Sequence, residues 1–234
     1  MAVIEFKDVQ YKSILKGISG TFREGKITTL VGPSGAGKTT CLKQINGLLS
    51  PDAGAIYFKG TDLKDIDMME LRKKIGMAFQ SAPMIAGTVY DNLNLPKAIF
   101  DQTLEQEEAK RLLERVDLKE VPLTQNVKEL SGGEKSRIAI ARTLVNRPDV
   151  LLLDEITASL DYRMVKEIEA LVRKVQREFN VTVIWITHDL EQARRVSDDM
   201  WFLKDGKLIE QGTIELIEDS NNPVIEAFVK GVDQ

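Results

Sequence analysis

Eight consecutive residues, Gly32-Pro33-Ser34-Gly35-Ala36-Gly37-Lys38-Thr39, set three glycines ahead of a lysine and a hydroxyl, with a second hydroxyl at Thr40. A glycine, four variable positions, then glycine, lysine and serine or threonine is the P-loop pattern. The glycines let successive backbone N–H groups turn inward around a phosphate. A helix opening at Lys38 adds the positive end of its dipole. Lys38 would then reach the β- and γ-phosphates of a nucleotide, and the Thr39 hydroxyl would take a place on Mg²⁺. A glycine-rich turn can match this pattern by chance. Here the motif stands between a strand of mixed Thr, Leu and Val character, Ile27–Val31, and a helical run, which is the context the chemistry requires.

Val150-Leu151-Leu152-Leu153-Asp154-Glu155 is an apolar strand that delivers two carboxylates at its C-terminal end. Asp154 is placed to hold Mg²⁺ through water, which leaves Glu155 to orient and deprotonate an attacking water. Alone, such a strand end means only a strand meeting solvent; beside a P-loop it reads as function. His188 is the single histidine and also closes a strand-like run, Val183 to Thr187. A neutral imidazole there can bond a γ-phosphate or the carboxylate that holds the water, although a strand-end histidine can also merely cap the next helix. Leu130-Ser131-Gly132-Gly133-Glu134-Lys135 opens another helical run with small residues. That is a second helix start suited to an anion, about a hundred residues from the first.

These residues need a scaffold that brings strand ends together. Val3–Tyr11, Lys26–Val31, Ala55–Phe58, Ile75–Phe79, Val150–Leu153 and Val181–Thr187 read as strands. Lys38–Leu49, Thr103–Val116 and Lys135–Val145 read as helices. A longer helix carries the apolar stripe Val165, Ile168, Val172, Val175 and Phe179. Met200–Leu203 and Lys207–Glu210 flank Asp205-Gly206 as a hairpin. Helices alternating with strands imply an α/β fold around a mostly parallel central sheet. The expected division is a core of residues 1–85 and 145–234, with a mostly helical insertion over 86–144.

With 234 residues, 43% hydrophobic and 29% charged, the chain can bury a real core. A net charge of -4 and the lack of a basic tract argue against nucleic acid as a partner. No run approaches the roughly eighteen apolar residues that would span a bilayer. The opening Met1-Ala2-Val3-Ile4-Glu5 is not expected to be a secretory signal. The lone Cys41 forms no internal disulfide and reads as a small buried filler. One histidine and one cysteine make no transition-metal cluster.

In order and spacing, Gly32–Thr39, Leu130–Lys135, Leu151–Glu155 and His188 resemble the Walker A, signature, Walker B and switch-histidine motifs of ABC transporter ATPases. The likeness covers nearly the full chain, and it implies an ABC-type P-loop NTPase fold with an antiparallel β portion and an inserted helical subdomain. It implies further roles: Tyr11 stacking on adenine, Gln80 sensing both Mg²⁺ and the membrane subunit, and Ser159-Leu160-Asp161 crossing a dimer interface. In that family two subunits face head to tail, so Ser131, Gly132 and Gly133 would meet the γ-phosphate held by the other copy. ATP and Mg²⁺ are the expected cofactors. The expected partners are a second copy, on ATP binding, and an integral membrane permease that holds the chain at the cytoplasmic face.

Ile156 stands where that family commonly has Pro, Ala158 and Ser159 are in swapped order, and Lys135-Ser136 replaces the usual Gln. None of these removes a catalytic group. Asp154–Thr157 and Thr88–Leu93 resemble the ATPase of the iron-export type, a relative of the plant aluminium-resistance ATPase. An importer ATPase for phosphate or amino acids is the alternative. A soluble ABC-type protein acting on DNA or ribosomes would usually carry two P-loops or a long coiled coil, and this chain has one P-loop and no sustained heptads. A subunit that only binds ATP would not need Glu155 and His188. Permease docking is expected between Gln80 and Leu95, where Pro83 and Gly87 would keep an apolar stretch (Met84, Ile85, Val89, Tyr90, Leu93 and Leu95) open rather than helical, the alternative being that these side chains pack against the helix from Thr103 to Val116.

Overall fold

The computed structural model describes residues 1–79, 83–215, 220 and 222–229. Gln80 therefore lies outside the described residues. Two sheets form the body of the chain. The smaller is antiparallel, in the order β2 (Leu15–Arg23), β1 (Ala2–Tyr11), β4 (Ala53–Phe58), β5 (Thr61–Asp62). The larger runs β10 (Lys207–Gly212), β9 (Asp199–Lys204), β3 (Ile27–Val31), β8 (Thr182–Ile186), β7 (Val150–Asp154), β6 (Ile75–Ala78). It is parallel from β9 to β6, and only β10 runs against its neighbour. The α/β class with a mostly parallel sheet and an antiparallel portion is the one expected. The hairpin turn falls at Asp205-Gly206, both with positive φ, as a tight two-residue turn between twisted strands demands.

β7 and β8 read as unbroken apolar runs because both faces are covered. Leu151 and Leu153 point into one core and Val150 and Leu152 into another. Trp185 and Ile184 divide the same way on β8. One core lies under the antiparallel sheet and α1 (Lys38–Ile45). There Trp201 stacks on Phe22 at 4.1 Å and meets Phe6 edge-on at 5.7 Å. The other core joins the opposite face to α3 (Val89–Ala98), α4 (Gln106–Arg115), α5 (Gly132–Leu144) and α6 (Tyr162–Phe179). α2 (Met68–Lys74) precedes β6, α7 (Leu190–Val196) follows β8, and α8 (Pro223–Val229) is the last of the described elements. Between β6 and β7 the described chain contains α3, α4, a short 3₁₀ turn and α5. Cys41 is buried, and burial pushes its thiol up to about 12.

One strand is unforeseen and two expectations need correction. β2 carries no clear strand signal, because Gly17 and Gly20 interrupt its alternation. It pairs with β1 through a shifted register and still buries Leu15, Ile18 and Phe22. α5 begins at Gly132, three residues ahead of the expected Lys135, because Ser131 and Glu134 form a capping box. The largest difference concerns the supposedly open apolar stretch, which is helical from Val89. Thr88 caps α3, its hydroxyl accepting from the Asp91 N–H at 3.1 Å while Asp91 accepts from the Thr88 N–H at 2.7 Å. Val89 and Leu93, one turn apart, are fully buried, and Met84 and Tyr90 pack against the same core. The Tyr90 hydroxyl donates to the Leu104 carbonyl at 2.6 Å. Asn92, also fully buried, donates to the carbonyls of Ile85 and Thr88 and accepts from the Ile85 N–H, fixing the turn before α3. Of the six apolar residues named above, only Ile85 is substantially exposed, at 39%.

Most of the stretch is therefore core. Leu93→Ala is expected to destabilise the fold by about 2–5 kcal/mol, the cost of a buried leucine cavity. Urea denaturation checks it, with the midpoint falling and the slope unchanged.

Candidate functional site

The parallel register sets the site. Leu30 of β3 lies opposite Ile186 of β8, and Asp154 at the end of β7 lies opposite the same residue. The segments that leave these strands, Gly32 onward, Glu155 onward and Thr187 onward, emerge along one edge of the sheet. The crevice beyond the carboxyl ends of parallel strands is where ligands collect in open α/β sheets. A cavity of about 560 Å³ lies there, lined by Ile14, residues 34–40, Glu155 and His188. Its volume is within the usual range for small-molecule sites.

The loop's shape depends on its glycines. Gly32 has φ 140°, and a Cβ there would sit 1.9 Å from the Leu203 carbonyl oxygen. Gly37 has φ 99° and serves as the N-cap of α1 without any side-chain cap, so the first amides of that helix have no side-chain acceptor. Lys38 is buried, and its ammonium donates to the carbonyls of Gly32 at 2.6 Å and Pro33 at 2.8 Å. An ammonium has three N–H donors, so one remains. Burial lowers the Lys38 pKa, partly offset by the nearby charges of Glu155 and Asp154.

The Thr39 hydroxyl donates to Asp154 Oδ1 at 3.2 Å. Burial raises the Asp154 pKa, and its neighbour Glu155 adds to that; the Thr39 bond and the charges of Lys43 and Lys38 pull the other way. A partly buried carboxylate beside a hydroxyl is a hard-oxygen pair of the kind Mg²⁺ takes when nucleotide phosphates complete its shell. No cluster of three or more His, Cys, Asp or Glu exists among the described residues to hold a metal by protein groups alone. An uncapped helix start, a buried lysine and this pair together fit a magnesium–nucleotide.

Glu155 has φ 48°, an uncommon conformation for a side-chain-bearing residue and one that functional positions tend to hold. Its N–H donates to the Ile186 carbonyl at 3.2 Å and its carbonyl accepts from Ala158 N–H at 3.1 Å, so both neighbours enforce the turn. His188 Nδ1 stands 4.0 Å from Glu155 Oε2, beyond hydrogen-bond length, and its side chain is exposed. Lys38, Thr39, Asp154, Glu155 and His188 are thus drawn to one place from three distant parts of the sequence.

Other residues lie elsewhere. Tyr11 is half-buried at the end of β1, with the Lys12 ammonium 5.2 Å from its ring centre, and it does not line the cavity. Ile14, three residues on, does line it, and no signal in the sequence marks that residue. Ser131, Gly132 and Gly133 are also absent from the cavity wall. Ser131 caps α5 with its hydroxyl. Gly132 faces Leu160 and Gly133 faces Met164, beside the turn that follows β7. The helix start at residue 131 is therefore separate from the phosphate loop of its own chain.

Residues 15–158 match the family model described as ABC transporter. Over 226 residues the chain is 39% identical to an ABC transporter ATP-binding protein, YjkB, of Bacillus subtilis, covering 96% of this chain and 90% of that one. It superposes on CbiO1 of Clostridium perfringens, part of the ABC transporter complex CbiONQ, with a TM-score of 0.85, 28% identity, and coverage of 98% and 95%. It also superposes on the ATP-binding cassette MJ0796, in a dimeric post-hydrolysis structure bound to ADP and phosphate. There the TM-score is 0.77, identity 33%, and coverage 90% and 98%. The chain belongs to the ABC transporter family, as an ATP-binding subunit with ABC-type ATPase activity.

Lys38→Ala is expected to abolish ATP binding, since among the described residues no other lysine lines the cavity. Isothermal calorimetry with ATP and Mg²⁺ checks it; tight binding by the variant would remove Lys38 from the nucleotide grip.

Proposed function

We propose that two copies of this chain close head to tail around two ATP molecules and drive transport through a separate integral membrane permease at the cytoplasmic face. The observation that carries this reading is the separation of the two anion-suited helix starts. α1 opens into the cavity, while α5 opens beside the turn after β7 and away from that cavity. A head-to-tail pair would bring the second start of one copy to the γ-phosphate held by the other. MJ0796 is dimeric in its post-hydrolysis structure and CbiO1 is part of a larger transporter complex, and both support the same arrangement here. No helix among the described residues is long and apolar enough to cross a membrane, consistent with another polypeptide supplying the span.

In this reading residues 32–40 wrap the β- and γ-phosphates, and the loop amides and Lys38 hold charge as it shifts toward the leaving oxygen. Thr39 and Asp154, with Gln80, would hold Mg²⁺, which when bound withdraws charge from the phosphate oxygens. Glu155 accepts a proton from water as the water oxygen bonds to the γ-phosphorus. The bond from that phosphorus to the β,γ-bridging oxygen breaks, and ADP and phosphate leave. His188 steadies the γ-phosphate or Glu155, and Tyr11 meets the adenine. Ser131, Gly132 and Gly133 complete the site across the pair. Residues 86–144 act as a helical subdomain against a core of 1–85 and 145–234, and Ile85 marks the docking side.

For the cargo, the resemblance of Asp154–Thr157 and Thr88–Leu93 supports export of a metal ion such as iron. Inverted vesicles holding the chain with its permease should then accumulate iron when ATP is added. Transport of phosphate or an amino acid in the opposite sense would assign an importer instead.

Glu155→Gln keeps size but loses the base, so hydrolysis should fall about 10²- to 10⁴-fold while ATP still binds. In that variant ATP with Mg²⁺ should produce a dimer by light scattering, and adding Ser131→Arg should abolish it. Retained turnover would move the base elsewhere, and a monomer throughout would refute the head-to-tail site.

A further inference from the structure

Glu155 and His188 stand on two separate turns, after β7 and after β8, and no hydrogen bond joins their side chains. A polar chain behind them does join the two turns. The Thr157 hydroxyl, two residues beyond Glu155, lies 3.2 Å from both amide atoms of Gln192 on α7. Gln192 Nε2 also donates to Glu169 Oε1 of α6 at 3.3 Å. Arg195, one turn along α7, holds that carboxylate at 3.0 Å through Nε and 2.7 Å through Nη2. The start of α7 is tied to His188 in turn. The Asp189 carboxylate accepts from the Gln192 N–H at 3.1 Å, and the Asp189 N–H donates to the Thr187 hydroxyl at 3.0 Å.

Resting on the hydrolytic reading above, we propose that Gln192 and Thr157 are positioning residues that set how closely Glu155 approaches His188.

Gln192 is 1% exposed, Thr157 8% and Glu169 5%. Hydrogen bonds so buried are stiff, because breaking one leaves a desolvated polar group without a partner. An amide suits the middle position because it offers a donor and an acceptor on one planar group. Burial pushes the Glu169 pKa up, but the hydrogen bonds and charge of Arg195, with Gln192 and Lys166, outweigh it and hold the carboxylate below its ordinary value. Glu169 is thus an ionised anchor that takes the amide N–H and leaves the rest of Gln192 to Thr157. The Ser136 hydroxyl of α5 reaches the Ile156 carbonyl at 3.5 Å, a second tie on the same turn. Displacing Gln192 would carry α7, and with it His188, relative to the turn that holds Glu155.

Thr157→Val keeps shape and removes the hydroxyl. It is expected to lower kcat about tenfold while ATP affinity stays within about twofold, a split between chemistry and binding that a purely structural cluster would not give. Thr157→Ser should restore kcat. Gln192→Met should match the loss, and the double variant should lose no more than either alone, because both changes break one link. Should Gln192→Met fail to fold, Gln192→Glu sets a second carboxylate against Glu169 and should show the same kcat loss. An unchanged kcat in folded Thr157→Val or Gln192→Glu, or losses that multiply in the double variant, would overturn the link. Glu155→Gln, run beside them, separates the two ideas. If it retains turnover the hydrolytic reading fails, whereas if it is inactive while Thr157→Val is normal only the positioning link fails.

Discussion

Everything in the site depends on the parallel register of β3, β8 and β7. With Leu30 and Asp154 both aligned on Ile186, the phosphate loop, the two carboxylates and the histidine leave the sheet at one level. A one-residue slip would turn each strand's side chains to the opposite face, moving Leu151 and Leu153 out of one core and Val150 and Leu152 out of the other. Because both faces are buried, the two cores hold the register more firmly than either alone. The same packing that stabilises the sheet therefore places the chemistry, and no separate framework is needed for it.

Two local conformations that a free chain would avoid lie at this edge. Gly32 presses its backbone against the Leu203 carbonyl, and Glu155 carries a side chain in the left-handed region. Each is enforced from outside: the first by the β9–β10 hairpin, the second by its bond to the end of β8. Electrostatics follow the same pattern. Lys38 and Asp154 are both partly desolvated, one lowered in pKa and the other raised, each softened by the other's charge. Two opposite charges held near one another but not in direct contact form a site that a magnesium–nucleotide can complete on both sides.

α3 shows how tertiary context redirects apolar residues. Val89 and Leu93 are spaced four apart, a spacing that fits a helix face as readily as a sticky loop. The Thr88–Asp91 capping box and the fully buried Asn92 decide for the helix, leaving Ile85 at the surface. The cap was legible in the sequence, since a threonine followed three residues later by an acid is a helix-start signal. Gly87 points the other way, and its positive φ falls in the turn just before the helix.

The sequence by itself determined the phosphate loop, the strand that ends in Asp154-Glu155, the strand before His188, the α/β class and the ABC resemblance. These are local patterns: short spacings, runs and periodicities whose physical cause lies within a few residues. Only the tertiary structure decided the rest. Nothing in Leu15–Arg23 announces an edge strand, because its glycines hide the alternation and its partner β1 supplies the order. Nothing marks Ile14 as a wall of the cavity, since that follows from where the β1–β2 turn comes to rest. Thr157, Glu169 and Gln192 are separated by as many as 35 residues and look like ordinary polar positions along two helices and a turn. They meet because α6 and α7 pack side by side against the sheet, and such a meeting depends on distances in space that residue spacing does not encode.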